Sequence, residues 1–114
     1  MEQKSSTSKQ DFTDLKLARN ILQDSRKEID QIDNELIDLI QKRTSLANDI
    51  VLSKLTLNMD IFDPKREKII REKIEKVVVE ENLNNNTKNA LIDIMDILIN
   101  LSKQQQKEII NDNE

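Results

Sequence analysis

The segment from about Asp14 to Asn58 contains neither glycine nor proline, so no residue in it forces a helix to end. Its apolar residues recur at intervals of three and four, the spacing of one helical face, at Leu22, Ile29, Ile32, Leu36, Leu39, Leu46 and Ile50. We therefore predict one very long helix, and a rise of 1.5 Å per residue gives it a length of about 65 Å.

Such a helix is longer than the domain that would have to cover it. A compact domain of 114 residues has a diameter of roughly 35 Å. With Phe12 and Phe62 as its only aromatic residues, a monomer also has little material for a thick core. The helix must lie against a second copy of itself, so the sequence predicts a homodimer.

Two breaks divide the rest of the chain. In the first, at 58–62, Asn and Asp occupy turn positions that glycine would usually fill. Asp63 is a candidate N-cap and Pro64 suits the first helical position, so a second helix is predicted from there to about Glu81. The second break is the Asn-rich segment 82–87.

A third helix is predicted to begin near Thr87 or Lys88, with apolar residues on most of its sides. Residues 1–13, rich in Ser, Lys and Gln, are predicted to be a disordered leader. The domain is expected to span 14–110, followed by a disordered tail at 111–114. The predicted fold is all-α, with three helices per chain in an intertwined homodimeric bundle.

The absence of glycine, histidine and cysteine excludes several classes of enzyme. Without glycine there is no Rossmann fingerprint, P-loop or nucleophile elbow, because each needs a backbone approach that a Cβ obstructs. Without histidine and cysteine there is no Ser-His-Asp triad, thiol nucleophile, ordinary zinc site or disulfide. We expect no metal and no cofactor, which leaves positioning and fixed charge as the means of catalysis.

Charge and hydropathy narrow the possible partners and location. The net charge is −4, from 18 basic and 22 acidic residues, and no block of Lys and Arg interrupts the mixture. This pattern argues against nucleic-acid binding. No apolar run is long enough for a signal peptide or a membrane span, so we predict a cytoplasmic protein without a membrane partner.

Two cationic residues lie where the first helix should be apolar. Arg43 is seven residues from both Leu36 and Ile50, on their stripe, where a guanidinium needs an anion. Lys54 follows Arg43 by eleven residues, which returns it to within about 20° of the same face, about 16 Å along the helix. The two could converge on one ligand. Taken singly, an interhelical salt bridge and a solvated lysine remain open alternatives.

Polar residues also mark the other helices. Ser102 and Gln106 are spaced i, i+4 and continue the apolar line of the third helix beyond Leu98. They could equally mark the ordinary end of the buried stretch. Arg66 and Glu67, in the first turn of the second helix, could be ordinary surface charges.

The ordered combination of these residues is more specific than any one of them. It comprises RKEIDQIDNEL at 26–36, LIQKR at 39–43, Lys54, DPKRE at 63–67, and Ser102 with Gln106. In this order and spacing the chain resembles the all-α class of chorismate mutases, over roughly Ile21 to Gln106. That family folds as an intertwined dimer of three-helix chains, in agreement with the length argument above.

The resemblance implies an activity that suits this composition. Members of the family catalyse the Claisen rearrangement of chorismate to prephenate, the branch step toward Phe and Tyr. This unimolecular reaction needs no nucleophile, metal, cofactor or general base. A chain without histidine or cysteine is therefore chemically adequate for it.

Residue roles follow from the resemblance. The two carboxylates of chorismate would be bound by Arg26, Arg43 and Lys54, with Arg66 and Ser102 assisting at one of them.

At the reacting bond, Lys54 and Gln106 would donate hydrogen bonds to the ether oxygen. Glu67, helped by the backbone at Asp63, would hold the ring hydroxyl.

Helix geometry adds that the active site is shared between chains. Arg26 and Arg43 lie 17 residues apart, about 26 Å along one helix, which is too far for both to touch one small molecule. Arg26 is therefore expected to enter the partner's site, giving two shared sites per dimer.

Two rival functions remain at this point. An isochorismate pyruvate lyase would share the fold and the cationic residues that bind the substrate carboxylates. The presence of both Glu67 and Ser102 favours the mutase. A non-catalytic coiled-coil protein would explain the long helix but not the polar interruptions of apolar faces. No fused catalytic or regulatory segment remains outside the matching region, so we expect a monofunctional, unregulated form.

Overall fold

The computed structural model describes residues 14–112, and that part of the chain is helical without a strand. Its elements are α1 (Leu15–Ser45), α2 (Ala47–Thr56), α3 (Pro64–Glu80) and α4 (Asn85–Asp112). The predicted all-α class is confirmed. The predicted leader at 1–13 and the last two residues of the predicted tail lie outside the described residues. None of the helices within residues 14–112 combines the length and the hydrophobicity that a membrane span requires.

The first predicted helix is interrupted at one residue, Leu46, which separates α1 from α2. The Ser45 hydroxyl donates to the Lys42 carbonyl at 2.7 Å, and the Leu46 N–H donates to the Arg43 carbonyl, three residues back, at 3.3 Å. These bonds tighten the turn, because a serine side chain competes for the carbonyls of its own helix. Leu46 keeps right-handed helical torsions, with φ −81° and ψ −9°. The long N-terminal helix predicted from about Asp14 to Asn58 is therefore present as α1 and α2, with an interruption at Leu46 and an end at Thr56.

Asparagine ends two of the helices in place of the missing glycine. Asn58 follows α2 with φ 58°, and Asn82 follows α3 with φ 51°. In each turn the N–H of the residue that follows the asparagine donates to the carbonyl of the residue four positions before that asparagine. The distances are 2.7 Å after α2 and 3.0 Å after α3. This is the Schellman pattern, and asparagine is one of the few residues that tolerate its left-handed position.

Side-chain caps fix the starts of α3 and α4. Asp63 Oδ1 accepts from the Arg66 N–H at 3.1 Å, which confirms the predicted cap of α3. Asn84 Oδ1 accepts from the Thr87 N–H at 2.8 Å in the same way. Helix α4 therefore begins at Asn85, two to three residues earlier than predicted. The Asn-rich segment belongs in part to the first turn of α4 rather than to the break.

The chain divides into two units, 1–41 and 42–114. In the second unit α2 and α3 both pack against α4. Its buried apolar residues, among those described, are Ala47, Val51, Ile74 and Ile99. This small core places the polar ends of α2, α3 and α4 next to one another.

The described part of the first unit consists of Asp14 and of α1 up to residue 41. No residue of α1 is buried. The apolar side chains of the stripe predicted from the sequence are exposed, together with others beside them: Leu22, Ile29, Ile32, Leu36, Ile37, Leu39 and Ile40. An apolar helical face of this length is typical of a surface that another helix covers.

Candidate active site

Lys54 is held at the end of α2 by two acceptors. Its Nζ donates to the Ile61 carbonyl at 2.7 Å and to Gln106 Oε1 at 3.1 Å. The turn at Asn58 brings the chain back so that Ile61 reaches the lysine. An ammonium has three donor hydrogens, so one is left for a ligand.

Among the described residues of the second unit, Gln106 is the buried polar one, with 3% of its surface exposed. Its Nε2 donates to Ser102 Oγ at 3.0 Å, one turn earlier on α4. The orientation of the amide is fixed chemically, because the Lys54 ammonium cannot accept and must face the amide oxygen. The amide nitrogen therefore keeps one hydrogen beyond the bond to Ser102.

Arg43 lies half-buried at the end of α1, within the second unit. Its Nη1 donates to the Leu98 carbonyl on α4 at 3.0 Å. A neutral carbonyl anchors the guanidinium without neutralising it, and most of its five N–H donors remain for an anion. The observed bond is therefore to a neutral carbonyl, and not the interhelical salt bridge that the sequence left open.

Glu67 is a half-buried carboxylate in the first turn of α3. Lys103 on α4 places its Nζ 3.2 Å from Glu67 Oε2. Arg71 lies 3.9 Å from the other oxygen but pairs more closely with Asp96, at 3.3 Å. Lys103 also lies over the Phe62 ring, with Nζ 5.1 Å from its centroid.

These side chains line one cleft of about 70 Å³, which we call the polar cleft. Its lining contains six of the eight predicted site residues: Arg43, Lys54, Asp63, Glu67, Ser102 and Gln106. The other lining residues are Ile61, Ile70, Ile99 and Lys103. Three cations and two carboxylates give the lining a formal charge of +1, so the cleft suits an anion.

The two remaining predicted residues are not in the polar cleft. Arg66 is exposed and lines a neighbouring groove of about 330 Å³ with mainly apolar walls, which it shares with Arg43. Arg26 belongs to the first unit, where it is exposed on α1.

Lys103 is the cleft residue that the sequence analysis missed. It lies three residues before Gln106 on α4, and residues at that spacing are neighbours on a helix surface. That spacing was the available signal. Its partner Glu67 is 36 residues away in the sequence, so only the fold brings the pair together.

Comparison with known proteins identifies relatives. The family model described as "Chorismate mutase type II" matches residues 25–107. A chorismate mutase of Methanocaldococcus jannaschii is 41% identical over 91 residues, covering 80% of this chain and 89% of that protein. A bifunctional chorismate mutase/prephenate dehydratase of Buchnera aphidicola is 34% identical over 94 residues, covering 82% of this chain but 24% of that protein. No solved structure gives a significant match.

Proposed function

The chain belongs to the type II chorismate mutase family and catalyses the rearrangement of chorismate to prephenate; we propose that the polar cleft is where it does so. The observation that carries this assignment is the chain of hydrogen bonds from Ile61 through Lys54 and Gln106 to Ser102. It joins α2, the segment that follows α2, and α4, and it leaves one donor each on Lys54 and Gln106.

These two donors are assigned to the ether oxygen. Negative charge grows on that oxygen as the C–O bond breaks, and donors already fixed in place stabilise it without reorganising. Lys54 is anchored by two acceptors and Gln106 is buried between Lys54 and Ser102. A donor pair of this kind acts more strongly on the transition state than on the ground state, which is the condition for catalysis.

The cations are assigned to the two carboxylates of the substrate. Arg43 offers a planar fork of donors suited to a carboxylate, and Lys54 adds a second positive charge in the same cleft. Ser102 and Arg66 assist at one carboxylate in this proposal. Arg66 then acts from the adjoining groove, which it shares with Arg43.

Glu67 is assigned to the ring hydroxyl, as the acceptor of its hydrogen. The Asp63 carbonyl already accepts from the Glu67 N–H at 3.1 Å, so the backbone group of Asp63 that we assign to the hydroxyl is its N–H. Together they would orient the ring relative to the cations.

None of these roles requires proton transfer or a covalent intermediate. A rate gain of about 10⁶-fold, or roughly 8 kcal/mol, lies within what orientation and electrostatic stabilisation supply. The reaction is intramolecular, so holding the folded conformer of chorismate is the main task of the cations.

We further propose that a second copy of the chain completes the site. A cleft of about 70 Å³ is far smaller than the roughly 300–1,000 Å³ typical of ligand pockets. The exposed apolar face of α1 provides a surface for that copy, and the partner's α1 would bring its Arg26 to the cleft. The cytoplasmic location stays a prediction from the sequence.

The assay uses both candidate substrates. The protein is incubated with chorismate and separately with isochorismate, and prephenate and pyruvate are measured. Prephenate from chorismate, without pyruvate from isochorismate, is the expected result. Lys54→Ala and Gln106→Ala should each abolish most of the turnover while keeping the helical content; parental turnover in both variants would place the active site elsewhere.

A further inference from the structure

We propose that Lys103 is a positioning residue for the reaction, which holds the Glu67 carboxylate in the orientation that accepts the ring hydroxyl of chorismate. This inference rests on the proposed role of Glu67. Lys103 itself touches neither the ether oxygen nor the substrate carboxylates in this assignment.

The contacts of Lys103 support such a role. Its Nζ lies 3.2 Å from Glu67 Oε2, and both side chains are largely withdrawn from water, with 27% and 13% of their surfaces exposed. The ring of Phe62 lies beneath the ammonium at 5.1 Å, which is within the range of a cation–π interaction. Lys103 is therefore held between an aromatic ring and a carboxylate at the edge of the polar cleft.

Charge explains why Glu67 needs this partner. An unpaired carboxylate facing a substrate with two carboxylates would repel it, and a half-buried carboxylate without a cation is unfavourable in itself. The Lys103 ammonium offsets that charge on one oxygen. The other oxygen, Oε1, lies 3.9 Å from Arg71 Nη2, which is beyond hydrogen-bond distance, so it can accept the ring hydroxyl.

Arg71 is not an equivalent partner. It lies 3.9 Å from Glu67, its side chain is 53% exposed, and its closer contact is with Asp96 at 3.3 Å. An ion pair at that distance, with an exposed arginine as one partner, contributes little. Removing Lys103 should therefore release Glu67 rather than transfer it to Arg71.

The test uses a matched set of lysine variants. Lys103→Met removes the charge and keeps the chain length, Lys103→Gln is a second neutral variant, and Lys103→Arg keeps the charge. Lys107→Met is the control, because Lys107 lies one turn further along α4 and lines an outer groove with Lys103 but not the polar cleft. Far-ultraviolet circular dichroism checks that each variant unfolds cooperatively.

Losing a hydrogen bond to a charged group should lower kcat/KM for chorismate about tenfold in Lys103→Met and Lys103→Gln. Lys103→Arg should recover to within about threefold of the parent, and Lys107→Met should stay within about twofold. Parental kcat/KM in both neutral variants would overturn the proposal.

A double-mutant cycle with Glu67→Gln separates positioning from general structural support. Because Lys103 acts through Glu67, Lys103→Met should lower kcat/KM for chorismate by less than about twofold when Glu67→Gln is already present. An equal loss in both backgrounds would contradict the proposal. Full activity of Glu67→Gln would instead refute the role of Glu67 in the proposed function, whereas an impaired Glu67→Gln with a fully active Lys103→Met refutes Lys103 alone. Prephenate is followed at enzyme concentrations high enough to exceed spontaneous rearrangement.

Discussion

Replacing Gln106 with glutamate should make the reaction depend on pH. The amide of Gln106 donates without any change of protonation state, so the parent protein should show a nearly flat turnover profile from mildly acidic to neutral pH. The carboxylate of Gln106→Glu would accept from Lys54 and from the Ser102 hydroxyl, the two groups that Gln106 contacts at 3.1 Å and 3.0 Å. It would leave no donor at this position for the ether oxygen.

The size of the effect follows from this geometry. Removing one fixed donor from a developing oxyanion costs about 100- to 1,000-fold in turnover, or roughly 2.7–4 kcal/mol. The new negative charge adds repulsion in a position that is 3% exposed, where water screens it poorly. We therefore expect Gln106→Glu to be at least about 100-fold slower than the parent at neutral pH.

Acid should restore the activity of Gln106→Glu. The neutral acid can donate and the carboxylate cannot, so turnover rises as pH falls through the pKa of the introduced carboxyl. Burial raises that pKa and the Lys54 ammonium lowers it. Above the pKa, turnover should decline by about tenfold per pH unit until it reaches the level of the ionised form.

The assay is turnover against pH for the parent, Gln106→Glu and two controls. Gln106→Met removes the donor without adding charge and should be slow at every pH. Gln104→Glu adds the same charge at an exposed position of α4 outside the polar cleft and should behave as the parent. A flat profile at the parental rate for Gln106→Glu would refute the contact between Gln106 and the ether oxygen.

Three further predictions concern assembly and stability. Sedimentation equilibrium at micromolar concentration should give a dimer, because the apolar face of α1 is exposed; a compact folded monomer would contradict this. Asn84→Ala should lower the free energy of unfolding by about 1 kcal/mol, since it removes the cap of α4, whereas Asn86→Ala should have little effect in the same thermal unfolding experiment. Asn58→Ala should lower the free energy of unfolding by about 1 kcal/mol, because alanine tolerates the left-handed backbone of this position less well than asparagine. It should also slow turnover, because that turn brings Ile61 to Lys54. Unchanged unfolding and turnover would refute this prediction.

Two local signals in the sequence predicted features that the fold contains. The apolar periodicity of α1 and the Asp63-Pro64 helix start are local signals, and the structure contains both. The interruption at Leu46 was not predicted, because it depends on which carbonyl the Ser45 hydroxyl contacts. The early start of α4 was missed because a run of asparagines resembles a break, although one of them acts as a cap.

The candidate site was predictable to a similar extent. A charge or a hydrogen-bonding group on an apolar face can be recognised from the sequence, as Arg43 and Gln106 were. The pairing of Lys54 with Gln106 spans 52 residues, and that of Lys103 with Glu67 spans 36, so both depend on how α2 and α3 pack on α4. Helical periodicity gives the face of a residue but not its partner in the fold.

The shared site is the central claim, and mixing two inactive variants tests it most directly. Arg26→Ala and Arg43→Ala should each be nearly inactive, since each removes a charge-assisted contact to a substrate carboxylate. In a heterodimer of the two, one site carries both defects and the other carries neither. After the variants are unfolded together and refolded in equal amounts, random pairing makes about half of the dimers heterodimers, so about a quarter of the parental turnover should return. If heterodimers form and the mixture remains inactive, each chain supplies both arginines to its own site and the shared arrangement is wrong.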